Sequence, residues 1–364
     1  MVQASRRDLL KAVAAASAVP RAALFAASQP GLRLPRDIRV AIIGLEGHYS
    51  EITGVAAVSS QVKVTAAAEQ DQARRKRAAG DELLGKATLY EDYRQMLEKE
   101  SLDVVAVCGP NHTRAQILQE CAARKLAIVA EKPLAMNLAE LEEVRRQVTA
   151  NAVPFTILLP MRFSPVYRRM HAIVREGQIG EVVAMAAQKS YKLGDRPDWM
   201  KKRATFGGTI PYIAIHMVDL MRWVSGREFV EASAFQSNVG FPAYGEMENN
   251  AAVIFKLDNG GTATVRLDYL RPETAPTHGD DRLRIAGTRG IVEFQEGIGV
   301  MLVTKDRKPG LLTDLPPGGS LFSDFLDSIY NGRKHLFSSE EIFRVNEIVL
   351  KARDAAEGRS IVRI

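Results

Sequence analysis

From Arg36 onward the apolar and polar positions alternate between two periods. Arg39-Val40-Ala41-Ile42-Ile43 is a short β-branched run ending at Gly44, and helical spacing follows from about Tyr49. Residues 62–68 predict a second strand and 71–80 a charged helix. Runs at 102–108 and 127–130 repeat the scheme around a helix over 113–125. Such βαβ alternation implies a parallel sheet covered on both faces, with ligands at the carboxyl ends of its strands. The pattern changes around 151–154. Beyond it the spacing predicts helices over 165–176 and 211–223, a strand over 182–190, a loop with Trp199, strand-like runs from 230 to 303 and a last helix over 340–356. Alternation at 251–257 and 262–267 around Asn259-Gly260-Gly261 reads as a hairpin. The expected fold is α/β. A parallel sheet of βαβ units covers 36–154, and a second α/β domain over 155–364 is built on an open, mostly antiparallel sheet with helices on one face.

Composition fits two globular domains: 364 residues, 46% apolar and 25% charged, which excludes disorder and a small disulfide scaffold. The formal charge of +6 is concentrated at the start. Residues 1–35 carry five basic side chains (Arg6, Arg7, Lys11, Arg21, Arg33) against Asp8, and the remainder is too balanced to imply a nucleic-acid surface. Ser5-Arg6-Arg7-Asp8-Leu9-Leu10-Lys11 precedes a small-residue apolar run, 12–27, broken by Pro20 and Arg21. It reads as a twin-arginine signal, with cleavage near 26–28. The run is too short and too weakly apolar to span ~30 Å of hydrocarbon. The expectation is export to the periplasm or another extracytoplasmic space, with no membrane span afterwards. That route carries folded proteins, so a cofactor acquired in the cytoplasm travels inside. Cys108 and Cys121 read as two buried thiols, and six scattered histidines give no metal-ligand spacing.

The turn after the first strand is Gly44-Leu45-Glu46-Gly47-His48-Tyr49. A dinucleotide fold places glycines there for the turn, for approach of the backbone to the pyrophosphate and for helix packing. Aligning the first glycine puts Glu46 and Tyr49 at the other two places. A carboxylate facing a pyrophosphate is unfavourable, although Gly47 takes over the close approach if the loop is offset by one residue. Glu69 closes the second strand about 20 residues on, where an acidic side chain accepts from the adenosine ribose hydroxyls and favours NAD. Arg74 and Arg75 nearby keep NADP open. The bland alternative is a strand-to-helix turn without ligand.

Further along stand Cys108-Gly109-Pro110-Asn111-His112 and Glu131-Lys132-Pro133. They are followed by Arg162-Phe163-Ser164-Pro165, Gly177-Gln178-Ile179-Gly180-Glu181-Val182, Arg196-Pro197-Asp198-Trp199, and Gly207-Gly208 leading to His216-Met217-Val218-Asp219. In this order they resemble the Gfo/Idh/MocA oxidoreductases, from about Arg36 to the C-terminus. The resemblance implies a Rossmann domain followed by a domain whose open sheet walls the substrate cleft and commonly forms an oligomer interface. It also implies hydride transfer between a sugar or cyclitol carbon and a nicotinamide. Asn111 then lines the nicotinamide ribose pocket, Pro110 before it is a further cofactor-binding residue, and Lys132, fixed by Glu131 and Pro133, meets the reacting hydroxyl.

Chemistry supports that role for Lys132. Oxidising a secondary alcohol removes a proton from oxygen as hydride leaves carbon, so a cation beside the oxygen stabilises developing alkoxide. A buried lysine also loses proton affinity and becomes a base. His216, with Asp219 at i+3 and Tyr212 at i−4, is a proton carrier on one helix face in the family reading and a satisfied core histidine otherwise. Relatives usually carry aspartate at the position of Tyr212. Either the tyrosine replaces it, its pKa lowered by Lys132, or it is an aromatic wall. Trp199 covers the nicotinamide, stacks on a sugar face or is a plain lid contact; Arg162 meets substrate or an ordinary ion-pair partner; Asp219 contacts substrate or orients its helix. Arg114 stands where relatives often have histidine. Two functions follow from these residues: an exported NAD(P)-dependent oxidoreductase that keeps its cofactor, and a non-redox carbohydrate-binding protein on the same scaffold.

Overall fold

The computed structural model describes residues 32–364, so the twin-arginine segment lies outside the described residues. Six parallel strands form the first sheet: β1 (Ile38–Ile43), β2 (Val62–Ala68), β3 (Thr88–Tyr90), β4 (Val104–Val107), β5 (Ala127–Ala130) and β6 (Phe155–Ile157), in the order β3-β2-β1-β4-β5-β6. The order reverses between β1 and β4, which opens a crevice at their carboxyl ends. Connecting helices α1 (Ser50–Val58), α2 (Gln72–Ala79), α3 (Tyr93–Lys99), α4 (Asn111–Ala123) and α5 (Leu138–Ala150) cover the sheet. Strands β4 and β5 are buried throughout, as continuous apolar runs require. Asp71 caps α2 by accepting from the Arg74 N–H, and Asn137 caps α5 by accepting from the Glu140 N–H.

Three details differ from the sequence expectation. Helix α4 begins at Asn111, two residues early, because Pro110 lacks an N–H and suits the position before the first turn. Strand β3 is three residues long, too short to show a period. Strand β6 pairs with β5 in parallel, so Phe155–Ile157 belong to the first sheet rather than to the second domain, and the boundary moves past Ile157. Three residues cannot announce which sheet they join; pairing decides.

The second sheet has nine strands. They are β7 (Val182–Lys192), β8 (Phe229–Ser237), β9 (Asn250–Leu257), β10 (Thr262–Arg271), β11 (Arg282–Gly287), β12 (Gly290–Gln295), β13 (Gly299–Thr304), β14 (Gly310–Leu311) and β15 (Val362–Arg363). Their order is β14-β13-β12-β11-β7-β10-β9-β8-β15, antiparallel except for β7 beside β10. β9 and β10 form the expected hairpin. Helices α6 (Pro165–Arg175), α7 (Ile215–Ser225) and α9 (Ser339–Gly358) pack against the sheet and α8 (Leu321–Asn331) against α1, while alternate residues of β9 face solvent on the other side. A capping box between Ser338 and Glu341 starts α9. This helix also packs on α5 and β6, locking the two domains together. Cys108 and Cys121 are buried free thiols.

Candidate active site

The site lies where the carboxyl ends of β1, β4 and β5 meet the start of α7. Gly44 has φ +81°, and a Cβ there would lie 2.3 Å from the Gly109 Cα, so the turns after β1 and β4 pack backbone to backbone. Gly47 has φ +63°, and its Cβ would meet the Glu131 side chain at 2.9 Å. The second close approach therefore falls at Gly47, one residue later than the ordinary spacing. Leu45 donates its N–H to Glu69 at 2.8 Å, and the other Glu69 oxygen accepts from the Asp71 N–H at 2.9 Å.

Glu46 spans the open side of this turn. It pairs with Arg74 and accepts from the Trp199 indole N–H at 3.0 Å. Burial pushes its carboxyl up, opposed first by Arg74. Trp199 belongs to the second domain, where it meets Tyr212 and Phe206 edge-on or tilted at 6.3 and 6.1 Å. A protein carboxylate thus already holds the cation and the indole donor at the turn. The residues fit NAD: two left-handed glycines, carbonyls and N–H groups of the β1 and β4 turns, and a carboxylate closing β2, each of whose oxygens has lone-pair capacity left. Glu46 is the group that must give way.

The strand end at β5 is built differently. Lys132 is buried and donates to the Tyr212 backbone carbonyl at 2.9 Å, with its Nζ 3.5 Å from the centre of the Tyr212 ring. Glu131 accepts from His48 Nδ1 at 2.9 Å and lies 3.8 Å from the Lys132 ammonium. Burial would push the Glu131 carboxyl up, but His48, Lys132 and Arg114 outweigh it and hold it below the usual carboxylate range. Burial drives Lys132 down to about 8; Glu131 opposes the fall, and Arg114, Lys189 and Arg196 add to it. The Lys132–Pro133 peptide is cis.

His216 is buried with its ring 5.5 Å from that of His48. Burial, then Lys132 and Lys189, push its pKa well down, so it is a neutral imidazole. Its Nδ1 has no hydrogen-bond partner among the described residues. Ahead of it, Ile210–Ala214 wind as a wider π-type turn, a distortion that recurs at functional sites.

Several sequence expectations are corrected here. Tyr212 has its hydroxyl pushed up, by burial and then by Glu131, not lowered by Lys132; the lysine touches its ring and backbone carbonyl. The aromatic-wall role is the one the geometry gives it. Arg162 and Asp219 are not cleft residues. Both are buried and joined by two hydrogen bonds of 2.9 and 2.6 Å, and Arg162 also reaches Glu341 at 3.1 Å. Asn111 has both polar ends engaged, donating to the Phe206 carbonyl at 2.7 Å and accepting from Arg114 at 2.9 Å. Pro110 caps α4.

Other residues at this strand end escaped sequence reasoning. Buried Arg114 donates to the carbonyls of Pro133 (2.6 Å) and Gly109 (2.5 Å), tying the β5 and β4 ends together. Asn346, wholly buried in α9, accepts from the Leu134 N–H at 2.9 Å. Arg353 donates to the Met136 carbonyl at 2.5 Å. The signal for Asn346 was an amide inside the apolar run Val345-Asn346-Glu347-Ile348-Val349; Arg114 showed only as a departure from the histidine of relatives. Among the described residues no cluster of three or more His, Cys, Asp or Glu is arranged to hold a metal ion.

Comparison with known proteins agrees with this architecture. Residues 38–157 match the family described as "Oxidoreductase family, NAD-binding Rossmann fold", and residues 167–293 match "GFO/IDH/MocA C-terminal domain". A solved Thermotoga maritima protein, assigned as an oxidoreductase, superposes with a TM-score of 0.85 at 35% identity, covering 90% of this chain and 100% of that one. The uncharacterized oxidoreductase YrbE of Bacillus subtilis is 27% identical over 55% of this chain and 57% of its own length. Myo-inositol 2-dehydrogenase of Thermotoga maritima is 24% identical over 57% of this chain and 61% of its own. The chain thus matches less than two thirds of the length of either curated relative.

Proposed function

Because the chain belongs to the Gfo/Idh/MocA oxidoreductase family, we propose that it is an NAD-dependent dehydrogenase acting on a carbinol of a sugar or cyclitol. The observation that carries this reading is Lys132. It is a buried ammonium at the end of β5, with its proton affinity lowered to about 8, beside a neutral histidine whose Nδ1 is unpartnered. The bound cofactor supplies the hydride acceptor. Lys132 orients the substrate hydroxyl and, in its neutral form, takes the proton; as ammonium it holds the developing negative charge. His216 accepts a neighbouring hydroxyl at Nδ1 and fixes which carbon faces the nicotinamide. Gly44, Leu45, Gly47 and the β4 turn at Pro110 hold the diphosphate side. Glu69 receives the adenosine ribose, which favours NAD. Arg75 pairs with Glu91 at 3.0 Å, and Arg74, which Glu46 releases on giving way, still has Glu69 at 3.7 Å.

The export reading of Arg6-Arg7 completes the proposal, supported by the basic and apolar pattern of residues 1–35. An exported enzyme of this kind keeps its cofactor between turnovers. Exposed Val183, Phe235 and Ile254 on strands of the open sheet support a homo-oligomer through that face. The tests are direct. NADH titrated into the purified chain binds in a calorimeter, and a panel of sugars and cyclitols changes nicotinamide absorbance. No binding and an empty supernatant after denaturation remove the dehydrogenase reading. A cytoplasmic mature protein removes export, and a monomer by light scattering removes the oligomer. Saccharide binding without redox chemistry is the second reading, favoured by Glu46 occupying the turn; it is upheld if sugars bind and NADH does not.

A further inference from the structure

We propose that the substrate carries a carboxylate, a sugar acid rather than a neutral sugar or cyclitol, and that Arg196 receives it; this rests on the dehydrogenase reading above. Four cations act on this region, and three are already answered. Lys132 has Glu131 at 3.8 Å, Lys189 has Asp281 at 2.5 Å, and Arg114 is spent on two backbone carbonyls and Asn111. Arg196 has no ion pair among the described residues. Its guanidinium lies over the Tyr269 ring, 4.6 Å from the centre, with one amino group donating to the Lys192 carbonyl at 3.1 Å.

The Nε of Arg196 is buried without a partner, and so is the hydroxyl of Tyr269, a residue 1% exposed. His216 Nδ1 adds a third buried atom in the same condition. Polar atoms of this kind are uncommon in folded proteins and call for an explanation, of which a bound polar group is one. Arg196 stands three residues before Trp199, whose indole meets the Tyr212 ring at 6.3 Å and Glu46 at 3.0 Å, and its ring partner Tyr269 lies 6.4 Å from Tyr191, itself 5.1 Å from the Lys189 ammonium. A guanidinium resting over an aromatic ring still has N–H groups for a planar two-oxygen acceptor, and the pairing of two charges is stronger than a bond to a neutral hydroxyl. A neutral cyclitol leaves that charge unanswered.

The experiment is calorimetry on the full chain with and without NADH, titrating D-glucuronate, D-galacturonate and D-gluconate against D-glucose, D-galactose and myo-inositol, with D-glucose 6-phosphate as a further arm. At least one acid is expected to bind about tenfold or more tightly than its neutral counterpart, as a charge-assisted bond implies. The preference disappears in Arg196→Met and survives in part in Arg196→Lys, while NADH affinity stays within about twofold. Neutral compounds binding as well as the acids, no acid binding at all, or a preference unchanged in Arg196→Met overturns the proposal. A sugar phosphate that outbinds every acid overturns the carboxylate. NADH affinity that falls with Arg196→Met assigns the arginine to the cofactor and also overturns it. If Arg196→Met does not fold, the wild-type ratio and Arg196→Lys decide. Failure of NADH to bind removes the dehydrogenase reading instead, and the ratio of acid to neutral sugar without NADH still judges the carboxylate.

Discussion

The turn at Gly44–Tyr49 and the strand end at Glu131–Leu134 face each other across one crevice and are held by opposite means. In the turn, Glu46 bridges Arg74 and Trp199 through partly exposed side chains, contacts that break one at a time at little cost. At the strand end, Arg114, Asn346 and Tyr212 engage backbone carbonyls, an N–H and the Lys132 ammonium, nearly all of them buried. Losing any of these leaves a buried polar group unanswered. The part proposed to move a proton is fixed in advance, and the turn proposed to admit the cofactor is closed by an internal anion.

The sharpest test of this contrast is Lys132→Met. It is expected to lower kcat by roughly 10²- to 10⁴-fold, with NADH affinity nearly unchanged by calorimetry. In the wild type, alcohol oxidation should rise as pH increases through about 8, because the lysine must be neutral to take the proton, and reduction should fall over the same interval. An oxidation rate flat across that interval removes Lys132 as the base. Next in size is Asn346→Ala, which strands the Leu134 N–H and should cost about 1–3 kcal/mol in denaturant unfolding. Glu46→Gln should cost under about 1 kcal/mol in the same assay. Equal losses would erase the distinction between the two regions.

Glu46→Gln should also tighten NADH binding about fivefold, as loss of a competing charge worth about 1 kcal/mol implies, and change the Trp199 fluorescence. Weaker binding would mean that Glu46 helps the cofactor. The smallest effect is expected for Tyr212→Phe, which keeps the ring beneath Lys132 and should alter turnover by less than about twofold. A loss of a hundredfold would restore the hydroxyl to the proton path, against its raised pKa.

Periodicity and residue type went a long way in this chain. The βαβ pattern gave the parallel sheet, the alternation at 251–267 gave the hairpin, and Glu131-Lys132-Pro133 at a strand's carboxyl end pointed to Lys132, which is buried there against Tyr212. The same reasoning left Arg162 and Asp219 open between substrate contacts and structural roles, because an arginine in a motif looks alike whether it meets a ligand or a carboxylate 57 positions later. It left Tyr212 open between a hydroxyl lowered by Lys132 and an aromatic wall, since the order of residues says nothing of whether ring, carbonyl or hydroxyl is the part that touches the lysine.

The amino-acid order alone determined the elements and the inventory of chemical groups, because helix and strand periods, turn glycines and caps act over a few residues. Which of those groups meet was decided only in three dimensions. The partners of Lys132, Glu46 and Leu134 lie 80, 153 and 212 residues away. Burial and Coulomb forces depend on separation in space, and no local pattern along the chain encodes that.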